Sequence, residues 1–117
     1  MSRLCITAKP DGSRTVVRPR GDIDMATAGA LRDSLDLVIR RSPVPHVELD
    51  MSDAPFMDCA GLRVLLPMKR RAERRGGSLT LVNVPSQIDR LLSAVGLDHR
   101  LEANGRRRVP VPRPSSS

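Results

Sequence analysis

The sequence has 117 residues and a formal charge of +7, from 20 Lys and Arg against 13 Asp and Glu. That length fits one domain and leaves no room for separate catalytic and regulatory halves, and no apolar run approaches the roughly 20 residues of a membrane span. One Phe, no Trp and no Tyr leave the core to Leu, Val, Ile, Ala and Met and remove the aromatic platforms on which many single-strand binders stack bases.

The start, Met1 to Thr7, lacks a charged segment followed by a long hydrophobic stretch, so a cytoplasmic location is expected. In that compartment Cys5 and Cys59, far apart in sequence, are expected as free thiols. Leu4 to Ala8 and Thr15 to Arg20 are short β-branched-rich segments separated by Pro10-Asp11-Gly12, which predicts an opening hairpin. Asp24 is placed to cap a helix that carries Ala28, Leu31, Leu35, Val38 and Ile39 on one face and ends at Ser42-Pro43. His46 to Met51 alternates Val47 and Leu49 with Glu48 and Asp50, the period of a strand.

A connection from Ser52 to Met57 leads to Asp58-Cys59-Ala60-Gly61, then to Leu62, Leu65, Leu66 and Met68 at helical spacing. This predicts a second helix from about Cys59, kinked or loosened at Pro67 and stopped by Gly76-Gly77. Ser78 to Val84 reads as a strand. Ser86 as N-cap with Asp89 three residues on, followed by Ile88, Leu91, Leu92 and Val95, predicts a third helix closed by Gly96. A last short strand is expected around Arg100 to Glu102. The order β-β-α-β-α-β-α predicts an α/β fold with a mixed sheet of about four to five strands, mainly parallel after the hairpin, and helices mainly on one face. The domain is expected to end near Ala103. From Asn104 to Ser117 the chain is rich in Pro and Ser and expected to be disordered; its four arginines have no acidic residue beside them, leaving +3 for the rest of the chain.

Several chemistries find no support. His46 and His99 are the only histidines and neither has a zinc-binding spacing, so no metal is expected. Neither common phosphate-cradling glycine motif is present, so no cofactor is expected. Nothing places a histidine beside Cys59 as a base, and no enzymatic activity is expected. The run Lys69-Arg70-Arg71-Ala72-Glu73-Arg74-Arg75 is basic enough to contact phosphates. It falls in the last turns of a helix, where cations complement the macrodipole, so direct nucleic-acid binding is not expected.

The informative stretch runs from Asp50 to Leu66 and delivers Asp58 and Cys59 to a helix start. Backbone N–H groups there lack intrahelical partners and carry the positive end of the dipole, so a small polar side chain in that place can meet an anion or a partner. The plain structural alternative is an N-cap followed by a close-packed Ala60-Gly61 pair.

From about Leu4 to Glu102 the sequence resembles the anti-sigma factor antagonists, members of the sulfate transporter and anti-sigma factor antagonist (STAS) domain family. The resemblance rests on Gly21-Asp22-Ile23-Asp24, on Phe56-Met57-Asp58-Cys59-Ala60-Gly61-Leu62, on Gly76-Gly77, and on Leu91-Leu92 to Gly96-Leu97. It implies a STAS-like sheet backed by helices. It also implies that the protein binds an anti-sigma factor, often a serine kinase, and so frees a sigma factor for transcription. The kinase reverses the cycle by phosphorylating the antagonist at the second-helix start. By position Cys59 matches the phosphoacceptor serine, and Asp24 and Asp58 match acidic positions beside it, so the resemblance puts the partner-binding residues at Asp24, Asp58, Cys59, Ala60 and Gly61.

The departure is Cys in place of the switch serine. Cys59 is expected to leave the protein binding-competent and insensitive to the ordinary kinase; a redox role for Cys59, favoured by a helix N-terminus and opposed by the Asp58 carboxylate, is the sharper alternative. Other functions weighed are a regulatory subunit of a transport or stress-sensing complex and a basic nucleic-acid-binding domain using Lys69 to Arg75 and Arg106 to Arg108. Ser52 and Thr27 are further candidate phosphoacceptors. The oligomeric state is left open by the sequence.

Overall fold

The computed structural model describes residues 4–94. Its elements are β1 (Cys5–Asp11), β2 (Arg14–Arg20), α1 (Ala28–Arg41), β3 (His46–Asp50), α2 (Cys59–Arg74), β4 (Ser78–Val82) and α3 (Ser86–Ala94). The strands form one sheet in the order β1-β2-β3-β4, with the hairpin antiparallel and the other two pairings parallel. Alternation divides this sheet into two unlike faces. Val17, Leu49 and Leu81 share one register row, and Val47 and Leu79 the next; all five are buried, together with Leu31, Leu35 and Ile39 of α1, Leu62, Leu65 and Met68 of α2, and Ile88 and Leu92 of α3. The opposite face presents Arg14, Arg18, His46, Glu48, Ser78 and Thr80, all exposed or half-buried. The mixed sheet with helices on one side is therefore as the sequence predicts, and its core contains no aromatic side chain.

The hairpin turn differs from expectation. Pro10 lies inside β1 opposite Thr15, and the connection is Gly12-Ser13, with Gly12 at φ 66°. A prolyl residue is tolerated because β1 is an edge strand, where a missing donor costs no ladder bond on the solvent side. Asp24 does not cap α1 itself. Thr27 holds the N-cap position without a side-chain cap bond, while Asp24 Oδ1 accepts from the N–H groups of Ala26 and Thr27 in the turn before the helix. α2 runs unbroken through Pro67; Pro67 and the Arg63 carbonyl it leaves without a donor belong to exposed residues, where water can take over the bond.

The close of α2 follows the glycine signal. Gly76, at φ 82°, donates to the Glu73 carbonyl, and Gly77 donates to that of Ala72, a Schellman-type ending. β4 stops at Val82 rather than Val84, because Asn83 turns the chain at φ 54°, a conformation Asn tolerates better than most residues. Ser86 is the first residue of α3, not its cap; the Pro85 carbonyl accepts from Ile88 and Asp89. The Gly96 stop, the strand around Arg100 to Glu102 and the tail lie outside the described residues.

One polar group sits at the carboxyl end of the sheet. Asp50, only 6% exposed, accepts from Arg18 (2.8 and 3.2 Å), from the Ser52 N–H (3.0 Å) and from Asn83 Nδ2 (3.2 Å). Burial alone would raise its pKa, but the donors of Ser52, Arg18 and Asn83 outweigh burial and hold it at about 2, against an ordinary 3.8. The folded value lies below the unfolded one, so protons bind the unfolded chain more readily. The carboxylate therefore stabilises the fold above about pH 4 and loses that contribution as pH falls toward 2, by about 2 kcal/mol in all. Urea melts from pH 6 to 2 should show this decline, and Asp50→Asn should be less stable at neutral pH with a flatter acid limb; an unchanged acid limb would contradict the assignment.

Candidate functional site

The residues singled out in the sequence are brought together by a pairing between two loops. After β2 the chain continues through Gly21-Asp22-Ile23-Asp24, and after β3 it passes through residues 52–58. Gly21 donates to the Asp53 carbonyl (3.0 Å), Ile23 to that of Phe56 (2.9 Å), and Asp58 to that of Ile23 (3.1 Å), with Ile23 and Met57 forming a parallel bridge. Ile23, Met51, Ala54 and Met57 are buried beneath these loops, so apolar burial fixes the backbone that carries the polar groups. The Gln87 side chain of α3 donates to the Pro55 carbonyl and holds the second loop from the other side.

Asp58 is the N-cap of α2. Its Oδ1 accepts from Ala60 N (2.8 Å) and its carbonyl from Gly61 N (3.0 Å), so it supplies two of the bonds a helix start otherwise lacks. Cys59, the first helical residue, is exposed, and Cys5 is a free, exposed thiol as well. Gly61 is buried, and a Cβ there would fall 2.5 Å from Met57 Cγ, 2.7 Å from its Sδ and 3.0 Å from Ile23 Cγ2. The small residue thus lets α2 approach the paired loops closely. Both senses of the motif coexist: the cap and the close packing are real, and they present the Cys59 side chain to solvent.

The Asp24 turn adjoins this helix start through the Ile23–Asp58 bond. Thr27 locks it: its hydroxyl donates to the Asp22 carbonyl (2.8 Å) and accepts from Asp24 N (2.9 Å). With its residue 5% exposed, that hydroxyl is withdrawn from solvent, whereas Ser52 is exposed. Residues 21–27 and 52–58 hold Asp22, Asp24, Asp53 and Asp58 and no Lys or Arg, so this end is locally acidic in a chain of positive net charge. Arg20 and Arg63 border these loops and Arg18 pairs with Asp50 beneath them, while on α2 Lys69 pairs with Glu73 (2.6 Å) and Arg71 with Asp36 of α1.

Two exposed residues on these loops lie outside the partner-binding set expected from the sequence. Met25 is 84% exposed and Phe56 44% exposed, one in the Asp24 turn and one paired with Ile23. The available signal is that the one aromatic residue of the sequence, Phe56, lies in a connection between elements. Among the described residues no cluster of His, Cys, Asp or Glu has the arrangement to hold a metal ion, and no helix is long and apolar enough to cross a membrane.

Comparison with known proteins adds relatives. The family model described as STAS domain matches residues 6–109. The anti-sigma F factor antagonist of Paenibacillus polymyxa is 32% identical over 82 residues, covering 70% of each chain. The anti-sigma-B factor antagonist of Bacillus subtilis (strain 168) is 27% identical over 92 residues, covering 79% of this chain and 83% of that one. Among solved structures, an anti-sigma factor antagonist from Mycobacterium paratuberculosis superposes with a TM-score of 0.75 at 25% identity, over 85% of this chain and 83% of that chain.

Proposed function

The chain belongs to the STAS domain family, and on that premise we propose that it is a cytoplasmic, non-enzymatic anti-sigma factor antagonist. It binds an anti-sigma factor of the serine-kinase type and so releases a sigma factor, using the face built from Asp24, Asp58, Cys59, Ala60 and Gly61. The observation that carries this reading is the exposed helix start at Cys59, capped by Asp58 and fixed against the Asp24 turn. A face whose backbone is held by paired loops and a cap loses little freedom on binding, which favours association.

Cys59 sets the regulation. A kinase accelerates phosphoryl transfer largely by holding an attacking oxygen in line with the γ-phosphoryl group, and a thiol on a longer C–S bond fits that geometry poorly. The antagonist then stays binding-competent while the kinase turns over, and its effect follows its abundance. Isothermal titration of the purified protein into kinase-type anti-sigma factors from the same genome tests the partner. Saturable one-to-one binding to one of them is expected. Binding to none, together with recovery of membrane-transport subunits on affinity capture, would overturn the proposal.

A further inference from the structure

We propose that Met25 and Phe56 are the apolar anchors of this face, and that the partner meets them with an apolar pocket rimmed by basic side chains. The inference rests on the antagonist reading and names the chemistry of recognition within it. Phe56 is the sole aromatic residue of the chain. The core is filled by aliphatic and Met side chains, yet Phe56 stands 44% exposed and Met25 84% exposed. Aromatic residues and Met are enriched at the centres of protein interfaces, and Met adapts its shape to an irregular pocket.

The backbone beneath both side chains is fixed. Ile23 N donates to the Phe56 carbonyl, placing the second loop directly beside the segment that leads into the Met25 turn. That turn is closed by four bonds among Asp22, Asp24, Ala26 and Thr27, so Met25 is displayed from a rigid platform. Anchors on a preorganised backbone bind without paying for loop ordering. The charge on the same loops sets the rim of the partner: Asp22, Asp24, Asp53 and Asp58 stand there with no Lys or Arg among residues 21–27 and 52–58, and Arg20 and Arg63 lie only at the borders. Opposite charge around an apolar pocket gives orientation and a faster encounter.

Leu37 of α1 and Val44 of the loop after it are comparably exposed, at 42% and 47%, and supply controls away from the paired loops. The test titrates Met25→Ser, Phe56→Ser, Leu37→Ser and Val44→Ser, each in the full chain, into the purified kinase-type anti-sigma factor that the wild type binds, with a thermal melt of each variant. Met25→Ser lies outside the core and guards against a folding defect at Phe56. We expect about 30-fold weaker binding for Phe56→Ser and about tenfold for Met25→Ser, with melting midpoints near wild type and the two controls binding as wild type. Raising salt should slow association of the wild type. If Met25→Ser and Phe56→Ser bind within about threefold of wild type, the anchors are refuted while the antagonist reading stands. If the wild type binds no anti-sigma factor, the reading fails and the anchors with it.

Discussion

Gly77→Ala should destabilise the protein by about 3 kcal/mol or more, a large share of the roughly 5–15 kcal/mol that holds a domain of this size. A Cβ at Gly77 would fall within the radius of the Pro45 carbonyl oxygen and 2.5 Å from its carbon. Pro45 is backbone entering β3, not a side chain that can swing away, and its oxygen accepts from Ser78 N at 2.9 Å. Relief requires separating the starts of β3 and β4 at the His46–Ser78 register pair, which also disturbs the Gly77–Ala72 bond that closes α2. Gly29→Ala makes the contrast: no atom lies within 4 Å of its Cβ, and Ala in the first turn of α1 should be neutral or stabilise by roughly 0.5–1 kcal/mol. Urea melts of both variants check this, with equal slopes, a lowered midpoint for Gly77→Ala and an unchanged or raised one for Gly29→Ala; equal stability for Gly77→Ala would show that the close approach is not required.

Cys59→Ser should convert the protein into a kinase substrate. On the proposed function the kinase already docks at the capped helix start, and the substitution restores an oxygen nucleophile where the thiol stands, on a side chain that is exposed. Intact-mass measurement after incubation with the anti-sigma factor and ATP is expected to show one phosphate on Cys59→Ser and none on wild type. The added charge of about −1.5 to −2 would sit beside Asp24 and Asp58, where like-charge repulsion and the cost of desolvating a dianion in the closed interface oppose docking. Affinity of the phosphorylated variant should fall by about 30-fold or more, and Cys59→Glu, with a single charge, by about tenfold. A stoichiometric phosphate on the wild-type protein would refute insensitivity.

The features legible in the sequence were those set by periodicity and by glycine. Val47 and Leu49 alternate with polar neighbours and form the buried face of β3; Leu62, Leu65 and Met68 repeat at helical spacing and face the core from α2. Gly76-Gly77 marked the end of that helix. The misreadings arose where several local solutions compete. Pro10 suggested a turn, but edge position let it stay in β1. Asp24 and Ser86 both resemble caps; the backbone put one in a preceding turn and the other inside the helix. Asp58 capped α2 as its residue type predicts. The pairing of Ile23 with Phe56 and Met57 joins segments more than thirty residues apart, and no local pattern announces it. Phe56 and Met25 stand exposed on the loops so joined.

The face is proposed to bind an anti-sigma factor, with Cys59 keeping the complex out of reach of its kinase. Release of sigma factor from a preformed complex with the anti-sigma factor, followed over time by gel filtration in ATP and in ADP, is the decisive measurement. Lasting release by the wild type is expected in both nucleotides, and release by Cys59→Ser that persists in ADP but decays in ATP as phosphate is incorporated. Absence of release in either nucleotide, or wild-type release that decays in ATP with phosphate on the protein, would contradict it.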